Sequence, residues 1–208
     1  MRGAKPLSRK IFPLPLDKGK GIQGIGFYKY MKTNIALIGY MGTGKTAVGQ
    51  LLAEKLGMNF IELDWQIEQE AGKPIPEIFS NDGEIAFREL EIEAARKAAG
   101  ENHCVIACGG GLVLNKINID RLKEGARIVY LTASPRTILK RVSDQAGQRP
   151  LLEVEDQLKT IGEMLRYRKP FYERAAEITI NTSKMNINTV VKQIIEKLKE
   201  DEGFDLPE

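Results

Sequence analysis

The chain has 208 residues, 42% of them apolar and 28% charged, and a formal net charge of +3. These values indicate one globular domain, and the sequence contains neither a run of about 18 apolar residues nor a secretory signal pattern, which argues against a membrane or exported protein. The positive charge is concentrated in residues 1–32, which hold eight lysines and arginines against one acid, so the remaining chain carries a net −4. A basic nucleic-acid-binding surface is therefore not expected on the folded part.

Residues 1–30 are predicted to form a basic leader. They mix proline, glycine and lysine without an apolar period, which is typical of a disordered or loosely attached segment. They lack the amphipathic, arginine-rich face of a transit peptide, and Met31 is an alternative start of the chain. We expect an inert leader, a folded domain over residues 31–200 and an acidic tail over residues 201–208.

From residue 31 onward, short apolar runs alternate with amphipathic segments. The segment 45–57 predicts a helix that buries Ala47, Val48, Leu51, Leu52 and Leu56 and ends at Gly57. The segments 134–142 and 188–200 also predict helices, and most of the sequence from 65 to 99 is helical in pattern. Strands alternating with helices predict an α/β fold with three layers around a parallel sheet. The five predicted strands are NIALIG (34–39), NFIELD (59–64), CVIAC (104–108), RIVYL (127–131) and EITIN (177–181).

The two cysteines, Cys104 and Cys108, lie in the third predicted strand. At ~3.3 Å per residue they are about 13 Å apart, too far for a disulfide. We therefore expect reduced thiols, as in a cytoplasmic protein. The single histidine, His103, cannot build a histidine-rich metal site.

The segment GYMGTGKT, residues 39–46, matches the pattern G-x-x-x-x-G-K-[ST] between a predicted strand and a predicted helix. In such a loop the backbone N–H groups surround phosphate oxygens, and the helix N-terminus favours negative charge. Lys45 is expected to reach the β- and γ-phosphates, and Thr46 is expected to bind Mg²⁺. The predicted ATP-binding residues are Gly42, Thr43, Gly44, Lys45, Thr46 and Ala47.

A compact domain with this loop and a second pocket indicates a kinase that acts on a small molecule. The carboxyl ends of the first three predicted strands carry the P-loop, then Glu62 and Asp64, then Gly109–Gly111, and should converge on one crevice. Asp64 could orient or deprotonate a hydroxyl, or it could cap the helix that begins at Trp65. The three glycines indicate either a close approach to the strand end or a tight turn.

Two arginines are candidates for binding the acceptor. Arg88 lies in GEIAFRELE and could equally form an ion pair with Glu84 or Glu91 along the helix. Arg168 lies in a basic segment, where a surface role is the ordinary expectation. The residues next to each arginine in the sequence do not by themselves assign it a role.

Five segments after the P-loop resemble the shikimate kinases in order and spacing. The resemblance runs from Met31 to Leu198 and implies the fold of the nucleoside monophosphate kinases, with a five-stranded parallel sheet flanked by helices and a mobile lid. It also implies ATP-dependent phosphorylation of the 3-hydroxyl of shikimate, a step of chorismate and aromatic amino-acid biosynthesis, with Mg²⁺ as cofactor. The segments are FIELDWQIE, GEIAFRELE, VIACGGG, QRPLL and RYRKPFYERAA.

The resemblance supplies roles for the acceptor pocket. Asp64 is expected to hold ring hydroxyls of shikimate, and Arg88 and Arg168 to clamp its carboxylate in bidentate pairs. Gly109, Gly110 and Gly111 are expected to let the ring approach, with the Gly110 N–H as a donor. Phe79 and Phe87 would wall the pocket.

On the ATP side, Arg149 in QRPLL matches the lid arginine that meets the transferring phosphoryl group. We therefore expect Lys45, Asp64 and Arg149 to be catalytic, and Arg149 also to contact ATP. The family usually has F-x-D-x-D after its second strand, whereas this chain has Phe60, Glu62 and Asp64. Glu62 is expected to bind the metal together with Thr46.

Further departures are Cys108, where a small hydroxyl residue is common, and Lys184 and Met185 near the adenine site. Two alternatives stay open beside shikimate phosphorylation. One is a kinase of another polyol acid, such as quinate or gluconate, and the other is a catalytically silent protein that binds shikimate. The expected partners are shikimate and ATP, without nucleic acid or membrane, and the expected state is a monomer.

Overall fold

The computed structural model describes residues 31–143 and 156–207. A single sheet of five strands lies at the centre, in the order β2-β3-β1-β4-β5, and every neighbouring pair is parallel. All five predicted strands and the parallel sheet are confirmed. The strands are β1 (Asn34–Ile38), β2 (Asn59–Glu62), β3 (Cys104–Ala107), β4 (Ala126–Thr132) and β5 (Ile178–Asn181).

Helices cover both faces of this sheet. They are α1 (Lys45–Leu56), α2 (Leu63–Ala71), α3 (Ile75–Asn81), α4 (Gly83–Ala99), α5 (Lys116–Gly125), α6 (Pro135–Ser143), α7 (Gln157–Ala175) and α8 (Ile187–Lys199). A short 3-10 turn (Leu112–Leu114) follows β3. No helix had been predicted over α5 or over α7, and α7 contains Pro170 and buries only three of its residues. None of these helices is long and apolar enough to cross a membrane.

The central strand β1 is buried on both faces and separates two apolar layers. Ala36 and Ile38 pack with α2, α4, α5 and α7, whereas Ile35 and Leu37 pack with α1 and α8. This alternation is the period of two that a strand imposes on its side chains. The sheet is therefore the middle of three layers, as predicted.

Helix α1 ends at Gly57, as predicted, with that glycine in the left-handed region at φ 61°. Its buried side differs from the predicted one. Ala47 is exposed, and Gly49 and Ala53 are buried beside Val48 and Leu52. The reason is a close approach to the sheet, because a Cβ at Gly49 would lie 2.6 Å from Cε2 of Phe60 on β2.

The predicted second strand is too long at its carboxyl end. Strand β2 stops at Glu62, and the chain passes directly into α2 at Leu63. Leu63 is fully buried in the core, which fixes this transition. Asp64 therefore lies in the first turn of α2 and neither ends a strand nor caps a helix that begins at Trp65.

Residues 201–207, expected to be part of an acidic tail, pack against the domain. The N–H of Lys32 donates to Gly203, and the N–H of Asp205 donates to Lys32. Phe204 is buried in the layer formed with α1 and α8. Asp201 pairs with Arg127 of β4. The expected leader (residues 1–30) and residues 144–155, which include Arg149, lie outside the described residues.

Candidate active site

The loop between β1 and α1 has the conformation that its motif predicts. Gly42 and Gly44 have φ values of 73° and 98°, which glycine adopts with little strain. A Cβ at Gly42 would also lie 2.9 Å from Cγ2 of Val142 on α6. Helix α1 begins at Lys45 without a side-chain cap. The N–H groups of its first turn can therefore receive an anion such as phosphate.

Lys45 folds back over this loop. Its Nζ donates to the carbonyl oxygens of Gly39 at 2.9 Å and of Tyr40 at 3.2 Å. Both acceptors are neutral, whereas charge-assisted hydrogen bonds to phosphate oxygens are stronger. An incoming phosphate could therefore draw the ammonium group of Lys45 away from these carbonyls.

Thr46 and Glu62 meet at the start of α1. The Thr46 hydroxyl donates to Oε1 of Glu62 at 2.6 Å, so the longer side chain of Glu62 turns towards the P-loop. A hydroxyl and a carboxylate side by side are the hard oxygen ligands that Mg²⁺ prefers. In the described part of the chain, no cluster of three acidic, histidine or cysteine side chains is suited to a metal. These two residues fit a magnesium ion whose other ligands are phosphate oxygens and water.

The glycines after β3 lie on the acceptor side of the crevice. A Cβ at Gly109 would lie 2.5 Å from Oδ1 of Asp64, and one at Gly111 would lie 2.9 Å from Nη1 of Arg88. All three glycines are among the described residues, and none of them has a positive φ. Gly109 and Gly111 are therefore needed because side chains of other elements approach them. The approach of a ligand to the three glycines stays a prediction.

The same turn touches the P-loop. A Cβ at Gly110 would lie 3.6 Å from the amide nitrogen of Met41 and 3.7 Å from the carbonyl oxygen of Gly39. The P-loop, the end of β2 and the glycine turn thus form one crevice at the carboxyl edge of the sheet, as predicted. This is the edge at which open parallel sheets bind ligands.

Arg168 reaches this turn from α7. Its Nη1 donates to the Gly110 carbonyl at 3.1 Å, and its Cζ lies 5.6 Å from the ring centroid of Tyr40. Its Nε is buried and has no hydrogen-bond acceptor within the described ranges 31–143 and 156–207. Leaving a buried guanidinium donor unpaired is costly, so this site favours an anionic ligand. Arg168 is therefore not an ordinary surface residue.

Arg88 reaches the turn from α4 and is held by two glutamates. Its Nη1 donates to Oε2 of Glu91 at 3.1 Å, and its Nη2 donates to Oε1 of Glu84 at 3.1 Å. Both ion pairs considered in the sequence analysis are present, but the two glutamates differ in their exposure to solvent. Glu84 is 67% exposed, whereas Glu91 is 2% exposed.

Glu91 is a site residue that the sequence analysis considered only as an ion-pair partner of Arg88. Burial raises its pKa above the usual value, and the neighbouring Arg88 opposes this shift. A buried carboxylate that fixes an arginine in a crevice is a positioning group. The available signal was its spacing of three residues from Arg88 on one helical face.

Tyr172 and Cys108 are buried next to the glycine turn. The Tyr172 hydroxyl donates to the Gly110 carbonyl at 2.7 Å, and burial raises the pKa of this phenol. Burial also raises the pKa of the Cys108 thiol to about 12, with Lys45 opposing. Cys108 is therefore a protonated, unreactive thiol at neutral pH.

Aromatic residues border the acceptor side. The rings of Phe79 and Phe87 lie 4.6 Å apart, and Cζ of Arg88 lies 5.2 Å from the centroid of Phe87. Phe87 is buried and Phe79 is partly exposed, while Trp65 on α2 is largely exposed. Phe87 thus packs beside one of the two arginines that reach the glycine turn.

The sheet order, the P-loop and the two arginines that converge beside it define a P-loop kinase of an anionic small molecule. The family model described as shikimate kinase matches residues 41–199. The chain belongs to the shikimate kinase family, as its sequence predicts.

Curated relatives are similar in sequence to this chain over most of its length. The shikimate kinase of Symbiobacterium thermophilum is 44% identical over 169 residues, which cover 80% of this chain and 97% of the relative. The shikimate kinase of Caldanaerobacter subterraneus is 46% identical over 162 residues, which cover 78% of this chain and 94% of the relative. Phosphorylation of shikimate, the predicted function, is thus the activity for which these relatives are named.

Solved structures agree as well. A shikimate kinase from Acinetobacter baumannii in complex with shikimate has a TM-score of 0.78 and 34% identity, covering 83% of this chain and 96% of that one. A gluconokinase from Sinorhizobium meliloti has a TM-score of 0.53 and 17% identity, covering 82% and 93% of the two chains. The second likeness concerns the fold alone.

Proposed function

We propose that this protein transfers the γ-phosphoryl group of ATP to the 3-hydroxyl of shikimate. The observation that carries the proposal is the convergence of Asp64, Arg88 and Arg168 on one glycine turn that touches the P-loop. A carboxylate-binding pair and a hydroxyl-binding group therefore lie beside a phosphate-binding loop. The Acinetobacter baumannii relative, whose structure contains shikimate, supports this acceptor.

The carboxylate of the acceptor would lie between the two arginines. Arg168 has a buried Nε to satisfy, and Arg88 is fixed by Glu84 and Glu91 so that its planar group keeps one orientation. Guanidinium groups pair with carboxylates through two parallel hydrogen bonds. This arrangement would select an acidic acceptor and fix the direction in which its ring points.

Asp64 would hold the hydroxyl that attacks. Its Oδ1 lies over Gly109, next to the turn that contacts the P-loop. In the reaction, a bond forms between the 3-oxygen and the γ-phosphorus, and the bond from that phosphorus to the β–γ bridging oxygen breaks. The Asp64 carboxylate accepts the hydroxyl proton as that bond forms. Correct placement of the two reactants supplies much of the catalysis.

The donor side would use the P-loop. Its N–H groups and the N-terminus of α1 would hold the phosphates, with Lys45 neutralising their charge. Thr46 and Glu62 would hold Mg²⁺, which supplies charge neutralisation of the phosphate oxygens when bound. Arg149, outside the described residues, is expected to contact the transferring group.

An assay of ADP release with shikimate, quinate and gluconate tests the proposal. We expect turnover with shikimate, and ³¹P NMR of the product should show a phosphate coupled to the proton on carbon 3. Preferential turnover of quinate or gluconate would identify another polyol acid as the acceptor. Shikimate binding without ADP release would identify a silent binding protein. Lys45→Ala, assayed in parallel, excludes a contaminating kinase.

We also propose a monomer in the cytoplasm. Cys104 and Cys108 are both buried and do not form a disulfide, which supports a reducing compartment. Sedimentation of the purified protein at several concentrations tests the monomeric state, and any dimer peak that grows with concentration would contradict it.

A further inference from the structure

The carbonyl oxygens of the P-loop accept hydrogen bonds from several different groups. A loop that turns its N–H groups towards a phosphate must turn carbonyls outward, and those carbonyls need donors. Lys45 donates to Gly39 and Tyr40. The carbonyls of Gly42 and Thr43 are held by different groups, from elements far along the chain.

Thr182 is one of these groups. It directly follows β5 and is 2% exposed. Its hydroxyl lies 3.0 Å from the Thr43 carbonyl and 3.3 Å from the Thr132 carbonyl, and its own N–H donates to Thr132 at 2.8 Å. The hydroxyl has one proton to donate, and the shorter distance assigns it to Thr43.

Arg141 on α6 completes the arrangement. Its Nη1 donates to the Gly42 carbonyl at 3.1 Å and to the Thr182 hydroxyl at 3.0 Å, and its Nη2 donates to the Thr182 carbonyl at 2.7 Å. The hydroxyl of Thr182 thus accepts from Arg141 while it donates to the P-loop. We call Thr182 and Arg141 the P-loop brace.

The hydrogen bonds of the two halves of the loop differ in whether Lys45 makes them. If Lys45 moves to phosphate oxygens, as the proposed function requires, its hydrogen bonds to Gly39 and Tyr40 are lost. Among the described residues, the brace bonds to Gly42, Thr43 and Thr132, so nothing in that exchange breaks it. When Lys45 leaves, the loop is still held by the brace and by the hydrogen bond of 2.7 Å from the Thr43 hydroxyl to the Tyr40 carbonyl.

We propose that Thr182, together with Arg141, is a positioning residue for the phosphoryl donor. Its hydroxyl holds the carbonyl of Thr43, and Arg141 holds the carbonyl of Gly42, so that both stay turned outward and the N–H groups of the loop face the phosphates. The inference rests on the proposed function in one respect, namely that a nucleoside triphosphate is the donor. Thr182 does not need to contact the nucleotide for this role.

The test substitutes Thr182 with valine, which keeps the shape of the side chain and removes its hydroxyl. Removal of a hydrogen bond to a buried carbonyl has a typical cost that corresponds to about a tenfold change in affinity. We expect Thr182→Val to raise the Kd for Mg²⁺–ATP, measured by calorimetry, and the KM for ATP by roughly tenfold. The KM for shikimate should stay unchanged. Thr182→Ser, which restores the hydroxyl, should return both ATP constants to near the wild-type values.

Two controls separate positioning from general stability. Thr179→Val makes the same chemical change at an exposed position of β5 and should leave the ATP constants unchanged. Asn34→Ala removes buried hydrogen bonds to Glu101 and Cys104 at the opposite edge of the sheet. It should lower Tm without raising the Kd for ATP. If Thr182→Val does not fold, Arg141→Gln is expected to give the same selective rise for ATP.

Three results would overturn the inference. Thr182→Val could bind ATP as the wild type does, it could weaken ATP and shikimate equally, or serine could fail to rescue it. If the wild-type protein binds no nucleotide in the calorimeter, the proposed function fails, and the inference fails with it. Wild-type binding with an unaffected valine variant overturns the inference alone.

Discussion

Glu62 accepts a hydrogen bond of 2.6 Å from the hydroxyl of Thr46, across the junction between the P-loop and the end of β2. The side chain of Glu62 is one methylene longer than the aspartate usual in the family, and its carboxylate reaches the start of α1. The extra length is therefore used to bring the carboxylate to the hydroxyl that is expected to bind Mg²⁺.

Replacing the carboxylate of Glu62 should change the Mg²⁺ concentration that the reaction requires. We expect Glu62→Gln to raise the Mg²⁺ concentration for half-maximal rate several-fold, because a neutral amide attracts the cation less. The KM for shikimate should stay nearly constant, since Glu62 is not among the residues that approach the glycine turn. Glu54→Gln, an exposed position on α1, is the matched control. An unchanged Mg²⁺ titration would exclude Glu62 from the metal site.

Asp64→Asn should have the opposite pattern. The amide cannot accept the hydroxyl proton, so kcat should fall by about a hundredfold or more, while the Mg²⁺ titration stays close to that of the wild type. Steady-state rates at saturating ATP and shikimate, repeated at several Mg²⁺ concentrations, measure both quantities. A kcat within a few-fold of the wild type would show that Asp64 does not act on the hydroxyl.

The two arginines should respond to loss of their planar groups. Arg88→Lys and Arg168→Lys keep the charge and lose the paired donors, so each should raise the KM for shikimate by roughly tenfold or more. The KM for ATP should hardly change. Arg174→Lys, on the exposed side of α7, serves as control. Equal damage to both substrates would mean that the arginines support the fold and not the acceptor.

The buried Glu91 should make a contribution to the free energy of unfolding that falls as the pH rises. Burial raises its pKa above 4.5 against the opposing charge of Arg88, so the folded state holds the proton more tightly than the unfolded state. As the pH rises from 4.5 towards the raised pKa, the free energy of unfolding contributed by this group falls. The Tm of the wild type minus that of Glu91→Gln should therefore decrease over this window.

Thermal unfolding of both proteins in a series of buffers from pH 4.5 to pH 7 measures this difference. Glu84→Gln gives the comparison, because Glu84 contacts the same arginine from an exposed position. A Tm difference for Glu91→Gln that stays constant, or that grows with pH, would contradict the raised pKa.

Most of the fold could be predicted from local patterns. Buried strands such as β1 and β3 are short apolar runs followed by glycines, and Gly57 marks the end of α1 because it adopts a left-handed conformation. Helix α7 gave a weaker signal, since it buries few residues and contains Pro170. The change from β2 to α2 gave none, because no turn residue separates Glu62 from Leu63.

The site was harder to predict in its details. The P-loop is contiguous in sequence, so its residues could be named directly. By contrast, the burial of Glu91 follows from the packing of the turn and of two arginines from α4 and α7 around it, and in sequence Glu91 is one acid among several. Thr182 likewise reaches Thr43 across 139 positions of the chain. Such contacts depend on tertiary packing, which a single sequence does not encode in any local pattern.

The pairing of Lys32 with residues 203–205 also determines where the domain can be attached to something else. Lys32 and residues 203–205 lie at the amino edge of the sheet, and the strands separate this edge from the crevice at the carboxyl edge. A support surface or a fusion partner joined at residue 31 or residue 207 would therefore attach at the edge opposite the crevice.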